Sequence, residues 1–412
     1  MYVEKLSLKN FRGIRDLDIE FDKRLNVLVG DNGCGKSTIL VAIVRGLIGS
    51  RLNHVAGDER TSLENMLQIQ PFDIFNSTDH ALRTLCFNRE GKSISVTGSS
   101  SPDDFKSTLK DEFSRVDFIE RAYFPAERGV GFSDSPPDSH IREVVRKDSR
   151  LNLMLVNNAS YSYAFDWIKT QEDFENAAFR SYVDDGNQPK TFNLNPKLQA
   201  VKQVVENITG LSRITYSNTK NSVEVVKGIG DKRISLTLDQ LSLGEHVFVG
   251  LIAAIAVSVV IDVVDGTNPL EAEHILIIDE IDLHLHPKWQ RKVIPALLEN
   301  FPKCQFIVTT HSPQILSEVS ADNIISLYRD ANGDIQYEKP VRSKGLSVSD
   351  VLTEVMGQDE FTESLETDLE AIYEYIEDEK FDDARDLIKK NEIEFGEIPA
   401  LIEARTMLEL SE

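Results

Sequence analysis

The stretch Gly30-Asp31-Asn32-Gly33-Cys34-Gly35-Lys36-Ser37-Thr38 matches the pattern G-x-x-x-x-G-K-[ST] at every fixed position. The pattern is useful only where a strand delivers the chain into a tight loop and a helix carries it away. Both flanks comply: Leu25–Val29 is a short apolar β-run, and Ile39–Leu47 reads as a buried helix. Gly30, Gly33 and Gly35 permit close backbone approach and positive φ. Backbone N–H groups turned inward, with the helix N-terminus behind them, suit a chain of phosphates. Lys36 is expected to reach the β- and γ-phosphates, and the Ser37 hydroxyl to hold Mg²⁺. The expectation is a nucleoside-triphosphate site with ATP contacts from Asn32, Gly33, Cys34, Gly35, Lys36, Ser37 and Thr38.

Other functions are limited by composition. A chain of 412 residues with 41% hydrophobic content can build one large or two moderate domains. Cys34, Cys86 and Cys304 show neither metal spacing nor a disulfide framework, which fits a reducing, cytoplasmic setting. Met1-Tyr2-Val3-Glu4-Lys5 is charged and begins a strand, so no signal peptide is expected. Val247–Val264 is the longest apolar run. Asp262 interrupts it, and it is short against the roughly 20 residues of a membrane span, so it reads as a buried helix. A net charge of −23 argues against binding polyanions by bulk charge. The basic residues Arg142, Arg146, Lys147 and Arg150 read as a solvated helix face, and a local basic groove stays open as the other reading.

Ahead of the loop, Tyr2–Leu8 alternates like a half-buried strand, Lys9–Gly13 reads as a turn, and Leu17–Phe21 as a second strand. Two strands joined by an Asn10-Phe11-Arg12-Gly13 corner resemble the RecF, SMC and Rad50 branch of the ABC-type ATPases. That resemblance makes Arg12 a nucleotide contact; taken alone, it reads equally as a solvated turn residue. Arg51–Asn76 is largely polar. Leu82–Phe87 and Ser93–Val96 form a β-hairpin pattern. Near Ala122–Arg128 relatives carry a glutamine loop, for which this chain offers Glu127. Tyr163–Glu175 and Pro196–Ile208 read as helices, an inserted pair with no heptad repeat. A helix of about 18 residues spans only ~27 Å, too little for long coiled-coil arms.

The second half of the chain supplies further motifs. Leu241-Ser242-Leu243-Gly244-Glu245 precedes the long apolar helix and resembles the ABC signature, with Leu243 where glycine is usual. The resemblance places Ser242, Gly244 and Glu245 at the γ-phosphate of a second subunit. His274–Glu280 reads as a buried apolar strand that ends in two acids, Asp279-Glu280. Asp279 suits the Mg²⁺ shell, and Glu280 suits the base that orients the attacking water. Ile281–Pro287 resembles the family's D-loop. Its His284 and His286 have no third ligand nearby to make a metal site. Phe306–Pro313 reads as another buried strand with a histidine at its end, and the resemblance makes His311 the H-loop histidine on the γ-phosphate.

The wording around Asp279 and His311 narrows the resemblance to OLD-like, phage-defence ATPases, including the ATPase subunits of Septu and retron systems. After His311 the chain has no acidic TOPRIM pattern and no HNH motif, so a nuclease in the same chain is not expected. The expected fold is α/β: an ABC-type ATPase head, a mixed sheet around the phosphate loop with an antiparallel β lobe, a short helical insertion and a C-terminal helical tail. The expected domains are 1–135, 136–210, 211–345 and 346–412. In the tail, Leu369, Ile372, Tyr373 and Ile376 line one face of what reads as a helical hairpin, too small to close a core alone. The resemblance implies a head-to-tail homodimer or higher homo-oligomer around ATP and Mg²⁺. It further implies a separate effector, such as an HNH-type nuclease, with no membrane. Nucleic acid is a further candidate partner. Two other readings stand beside this one: a RecF-like DNA-repair clamp, and a scaffold that ATP merely holds together.

Overall fold

The computed structural model describes residues 2–49, 82–89, 92–99, 121–124 and 162–411, less 218, 221, 229–231, 262, 265, 359 and 360. Glu127, the polar stretch 51–76 and the basic stretch 142–150 lie outside the described residues. The chain divides into two compact units, Met1–Gly345 and Leu346–Glu412.

The first unit opens with β1 (Tyr2–Phe11), β2 (Ile14–Glu20) and β3 (Leu25–Gly30), then α1 (Lys36–Gly49). Strand β1 runs on through Lys9–Phe11, so the expected five-residue turn is corrected to a tight turn at Arg12-Gly13. Phe11 and Ile14 are both buried and pair across the turn, which keeps the strands together to their ends. Next come β4 (Leu82–Arg89), β5 (Lys92–Ser99) and β6 (Arg121–Phe124). Helices α2 (Ser162–Asp184) and α3 (Pro196–Thr209) lead to β7 (Ser212–Ser217), β8 (Ser222–Lys227) and β9 (Ile234–Thr237). Then follow α4 (Leu243–Val260), β10 (Ile275–Ile278), α5 (Pro287–Asn300), β11 (Gln305–Thr309), α6 (Pro313–Leu316), β12 (Ile324–Arg329) and β13 (Ile335–Glu338).

These strands form three sheets. An antiparallel sheet has the order β2-β1-β4-β5, a second has β7-β8-β9, and the largest has β13-β12-β3-β11-β10-β6. In the largest sheet β12, β3, β11, β10 and β6 are parallel, and β13 is antiparallel at the edge. Parallel strands are covered on both faces, which is why β10 and β11 are apolar without alternation and buried throughout. Helix α1 packs on both the antiparallel sheet and the central strands. Its Ile39, Ile43 and Leu47 share one core with Leu6 and Leu8 of β1 and with Ile277 and Ile307.

Helix α4 has fourteen consecutive buried residues, Val247–Val260. Among the described residues it is the one helix long and apolar enough to cross a membrane, yet the fold encloses it. Helices α2, α3 and α5 help to do so: α2 and α3 pack on α4, and Phe248 of α4 stacks on Trp289 of α5 at 5.1 Å. Helix α3 is well delimited by its Asn195 cap, Pro196 in the first turn and left-handed Gly210. Helix α2 runs to Asp184, beyond the expected end at Glu175. Past Glu172 most of its residues are exposed, and Phe179 and Tyr182 meet the Phe192 ring edge-on at 5.2 and 5.5 Å. Its 23 residues still span only about 35 Å. Buried Glu172 ties it down, accepting from Lys202 Nζ at 2.5 Å and from the Tyr216 N–H at 2.6 Å.

The second unit holds α7 (Val348–Glu354), α8 (Glu363–Glu377), α9 (Phe381–Phe395) and α10 (Pro399–Ser411). The hairpin reading of the tail is corrected here. A third helix, α10, brings Leu401, Ala404 and Leu408 against Leu369, Ile372 and Ile388, and three helices enclose a core of their own.

Candidate functional site

Register assembles the site. Leu28 of β3 lies opposite Thr309 of β11, and Ile278 of β10 lies opposite Val308. The three parallel strands therefore end together. Gly30, Asp279, Glu280 and Thr309–His311 follow those ends, at the carboxyl edge where open α/β sheets bind ligands.

The phosphate loop is moulded against β12. A Cβ on Gly30 (φ 135°) would sit 2.2 Å from the Leu327 carbonyl oxygen, so only glycine fits. Cys34 and Lys36 are buried, while Asn32, Gly33 and Ser37 are exposed and Gly35 and Thr38 half-buried. Lys36 Nζ donates to the carbonyls of Gly30 at 2.7 Å and Asp31 at 3.0 Å, which fixes the ammonium inside the loop. Arg329 clamps the loop from outside, donating to the Gly33 carbonyl at 2.9 Å and to the Gly333 carbonyl at 2.8 Å. The first turn of α1 carries no acid to oppose an anion at its N-terminus. Arg12 stands at the β1–β2 turn with φ 52°, its guanidinium 5.8 Å from the Phe11 ring centroid. Ile14, two residues on, lies against Gly35, so this corner borders the loop.

Across from the loop, Thr309 organises the two acids. Its hydroxyl donates to Asp279 Oδ1 at 2.5 Å and accepts from the Glu280 N–H at 2.6 Å. Asp279 is buried, and Glu280 adopts a left-handed backbone with φ 47°. Asp282 does the same for the next segment, accepting from Thr310 Oγ1 at 2.6 Å and from the His311 N–H at 3.3 Å. Ser312 donates to Gln290 Oε1 at 2.9 Å, and Gln290 Nε2 donates to the Leu285 carbonyl at 3.0 Å. The segment 281–287 is thereby tied to the end of β11.

Among the described residues no group of three or more His, Cys, Asp or Glu could hold a metal. His286 caps α5 instead, its Nδ1 accepting from the Lys288 N–H at 3.2 Å. The donors present are one hydroxyl, Ser37, and one buried carboxylate, Asp279. That set fits Mg²⁺, which takes one or two protein oxygens and leaves its other positions to phosphate and water.

Ser242 is the N-cap of α4 and forms a capping box with Glu245. Glu245 Oε2 accepts from the Ser242 N–H at 3.1 Å and from its Oγ at 3.0 Å. Burial raises the Glu245 pKa, but hydrogen bonds from Lys227 and Ser242 outweigh it and hold the carboxyl below its ordinary range. A Cβ on Gly244 would lie 2.7 Å from the His284 carbonyl oxygen. The start of α4 therefore abuts segment 281–287 within the same chain.

Sequence reading missed Thr309, Asp282, Arg329 and Lys227. Thr309-Thr310 carried a usable signal, two hydroxyls closing an otherwise apolar strand. Arg329 and Lys227 carried none, since each reaches its target through the fold.

Comparison with known proteins gives the lineage. The family model described as "AAA domain, putative AbiEii toxin, Type IV TA system" matches residues 25–317. The Escherichia coli protein named "Retron Ec83 probable ATPase" is 28% identical over 78% of this chain and 70% of its own. Septu protein PtuA of Bacillus thuringiensis is 25% identical over 87% of this chain and 85% of its own. Among solved structures, the SMC head domain from Thermotoga maritima aligns with a TM-score of 0.43 and 18% identity, over 82% of this chain and 99% of that one. The resemblance to the retron probable ATPase and to the Septu protein thus extends over most of the chain. With its phosphate loop, paired acids and histidine gathered at one mixed sheet, the chain belongs to the AAA-domain family of that model.

Proposed function

We propose that this chain hydrolyses ATP between two copies of itself, arranged head to tail, and that it serves an anti-phage defence system as the nucleotide-controlled subunit of a separate effector. The observation that carries the reading is the single sheet edge that holds Lys36, Asp279, Glu280 and His311. The relatives named for retron and Septu systems support the biological setting.

In this reading the N–H groups of Asn32–Thr38 and the Lys36 ammonium hold the triphosphate, and Arg12 borders it. Ser37 and Asp279 would hold Mg²⁺, which would supply positive charge to offset that of the triphosphate. Glu280 orients the attacking water and takes its proton. His311, fixed through its backbone by Asp282, hydrogen-bonds the γ-phosphate. Ser242, Gly244 and Glu245 of the partner copy close the site from the far side, where the N-terminus of α4 favours an anion.

The test is a pair of variants. Lys36→Ala should lose ATP binding. Glu280→Gln should bind ATP, stop turnover and remain an ATP-bound dimer by light scattering. Wild-type turnover in Glu280→Gln would sink the assignment. An effector is sought by co-purification with proteins encoded alongside this chain, and nucleic-acid cleavage by the pure chain would count against a separate one.

A further inference from the structure

Lys227 ends β8, and its ammonium lies 2.5 Å from Glu245 Oε1. The lysine side chain is half exposed and the carboxylate nearly buried. The chain turns away at once: Gly228 has φ 105°, and a Cβ there would lie 2.3 Å from the Lys232 carbonyl oxygen. Position 228 is thus restricted to glycine, and the lysine is aimed from a fixed strand end. Lys227 belongs to the small β7-β8-β9 sheet, not to α4 or to the strands that carry the phosphate loop.

The electrostatics of the start of α4 contain a conflict. A helix N-terminus attracts an anion, but Glu245 stands in the first turn, bonded to both the N–H and the hydroxyl of Ser242. An unneutralised carboxylate there would repel an approaching triphosphate. Lys227 cancels that charge and leaves the helix dipole in command.

We propose that Lys227 is a positioning residue for the reaction: by neutralising and holding Glu245, it presents the Ser242 hydroxyl and the start of α4 to the triphosphate carried by a second copy of this chain. The proposal rests on the two-copy reading above. It assigns Lys227 to closure of the dimer, not to nucleotide binding by one chain.

The experiment uses the full chain carrying Glu280→Gln, with ATP and Mg²⁺, and follows dimer formation against protein concentration by analytical ultracentrifugation. Binding of a fluorescent ATP analogue to dilute, monomeric protein is measured in parallel. Lys227→Met should weaken dimerisation by about tenfold, the order expected for an uncompensated charge at a partly buried helix terminus, with monomer nucleotide affinity unchanged. Lys227→Arg should keep dimerisation near that of the parent. Adding Glu245→Gln to Lys227→Met should restore it, because glutamine keeps the capping box without the charge. A Lys227→Met protein that dimerises like the parent overturns the proposal, as does a double variant as weak as the single one. If the Glu280→Gln parent itself never dimerises with ATP, the two-copy reading falls and this proposal with it.

Discussion

The side-chain amide of Gln305 pairs with the backbone of Val3 as a neighbouring strand would. The Val3 N–H donates to Oε1 at 2.8 Å, and Nε2 donates to the Val3 carbonyl at 2.8 Å. Nε2 also donates to the Asp22 carbonyl at 2.8 Å. The amide is buried at the first position of β11, and it splices β1 of the antiparallel sheet to the central sheet across a bulge in β1.

Gln305→Leu should keep the volume and remove the splice. The Val3 N–H and two carbonyls would then be buried with a lost partner, at about 1–3 kcal/mol each where water cannot reach. We expect a loss of about 3 kcal/mol in the unfolding free energy of the ATPase head, read by urea denaturation and tryptophan fluorescence. A loss below the error of the titration would mean that water replaces the amide.

Thr309→Val should leave the fold intact and damage turnover. Valine matches the shape of threonine but cannot donate to Asp279 or accept from the Glu280 N–H. Partners that orient a metal-binding carboxylate are typically worth about 10–100-fold in activity or metal affinity. We expect kcat to fall within that range and the Mg²⁺ concentration for half-maximal rate to rise. ATP binding without Mg²⁺ should stay near wild type. An unchanged Mg²⁺ dependence would separate Thr309 from Asp279.

His274 should make the head acid-sensitive. It is buried just before β10, and burial lowers its pKa to about 4, with a smaller opposing contribution from a Ser258 backbone hydrogen bond. The unfolded chain binds a proton near pH 6.5 and the folded one resists it until about 4, so the unfolded state holds more protons in between. Stability is therefore lost as pH falls from 6.5 towards 4. At pH 5 the loss amounts to roughly 2 kcal/mol. His274→Gln should remove this part of the pH dependence. Denaturation curves at pH 7 and pH 5 that shift equally in both proteins would refute it.

The second unit should fold by itself. The fragment Leu346–Glu412 has a three-helix core, and its Asn391 donates to Asp368 at 2.9 Å between α9 and α8. Small cores of this size supply about 3–5 kcal/mol, so the fragment should show helical circular dichroism and a shallow cooperative melt. A chain ending at Gly345 should bind ATP with the affinity of the full chain. Aggregation of both pieces would contradict the division into units.

What could be read from the sequence follows from what the chemistry demands of neighbours in the chain. The phosphate loop, Asp279-Glu280 and His311 carry residue types that few other roles require, and apolar runs announce their strands. Gln305 and Lys227 act through space on Val3 and Glu245, and neither pairing leaves a trace in spacing. Helix α2 outran its expected end because its outer half is exposed on most sides. The stretch 365–410 reads as acidic helices, but the core-forming face of α10 escaped because three small or aliphatic residues, Leu401, Ala404 and Leu408, make its whole buried stripe.

The position of β3 between β11 and β12 also has a cost during synthesis. At about 5–20 residues per second, β3 leaves the ribosome roughly 15 to 60 s before Gln305 does. For that interval an apolar strand with two open edges has no partner of its own chain to accept it. Nascent chains halted before Gln305 are therefore the species most exposed to aggregation, and slower initiation or a chaperone on the first strands should raise the yield of folded protein.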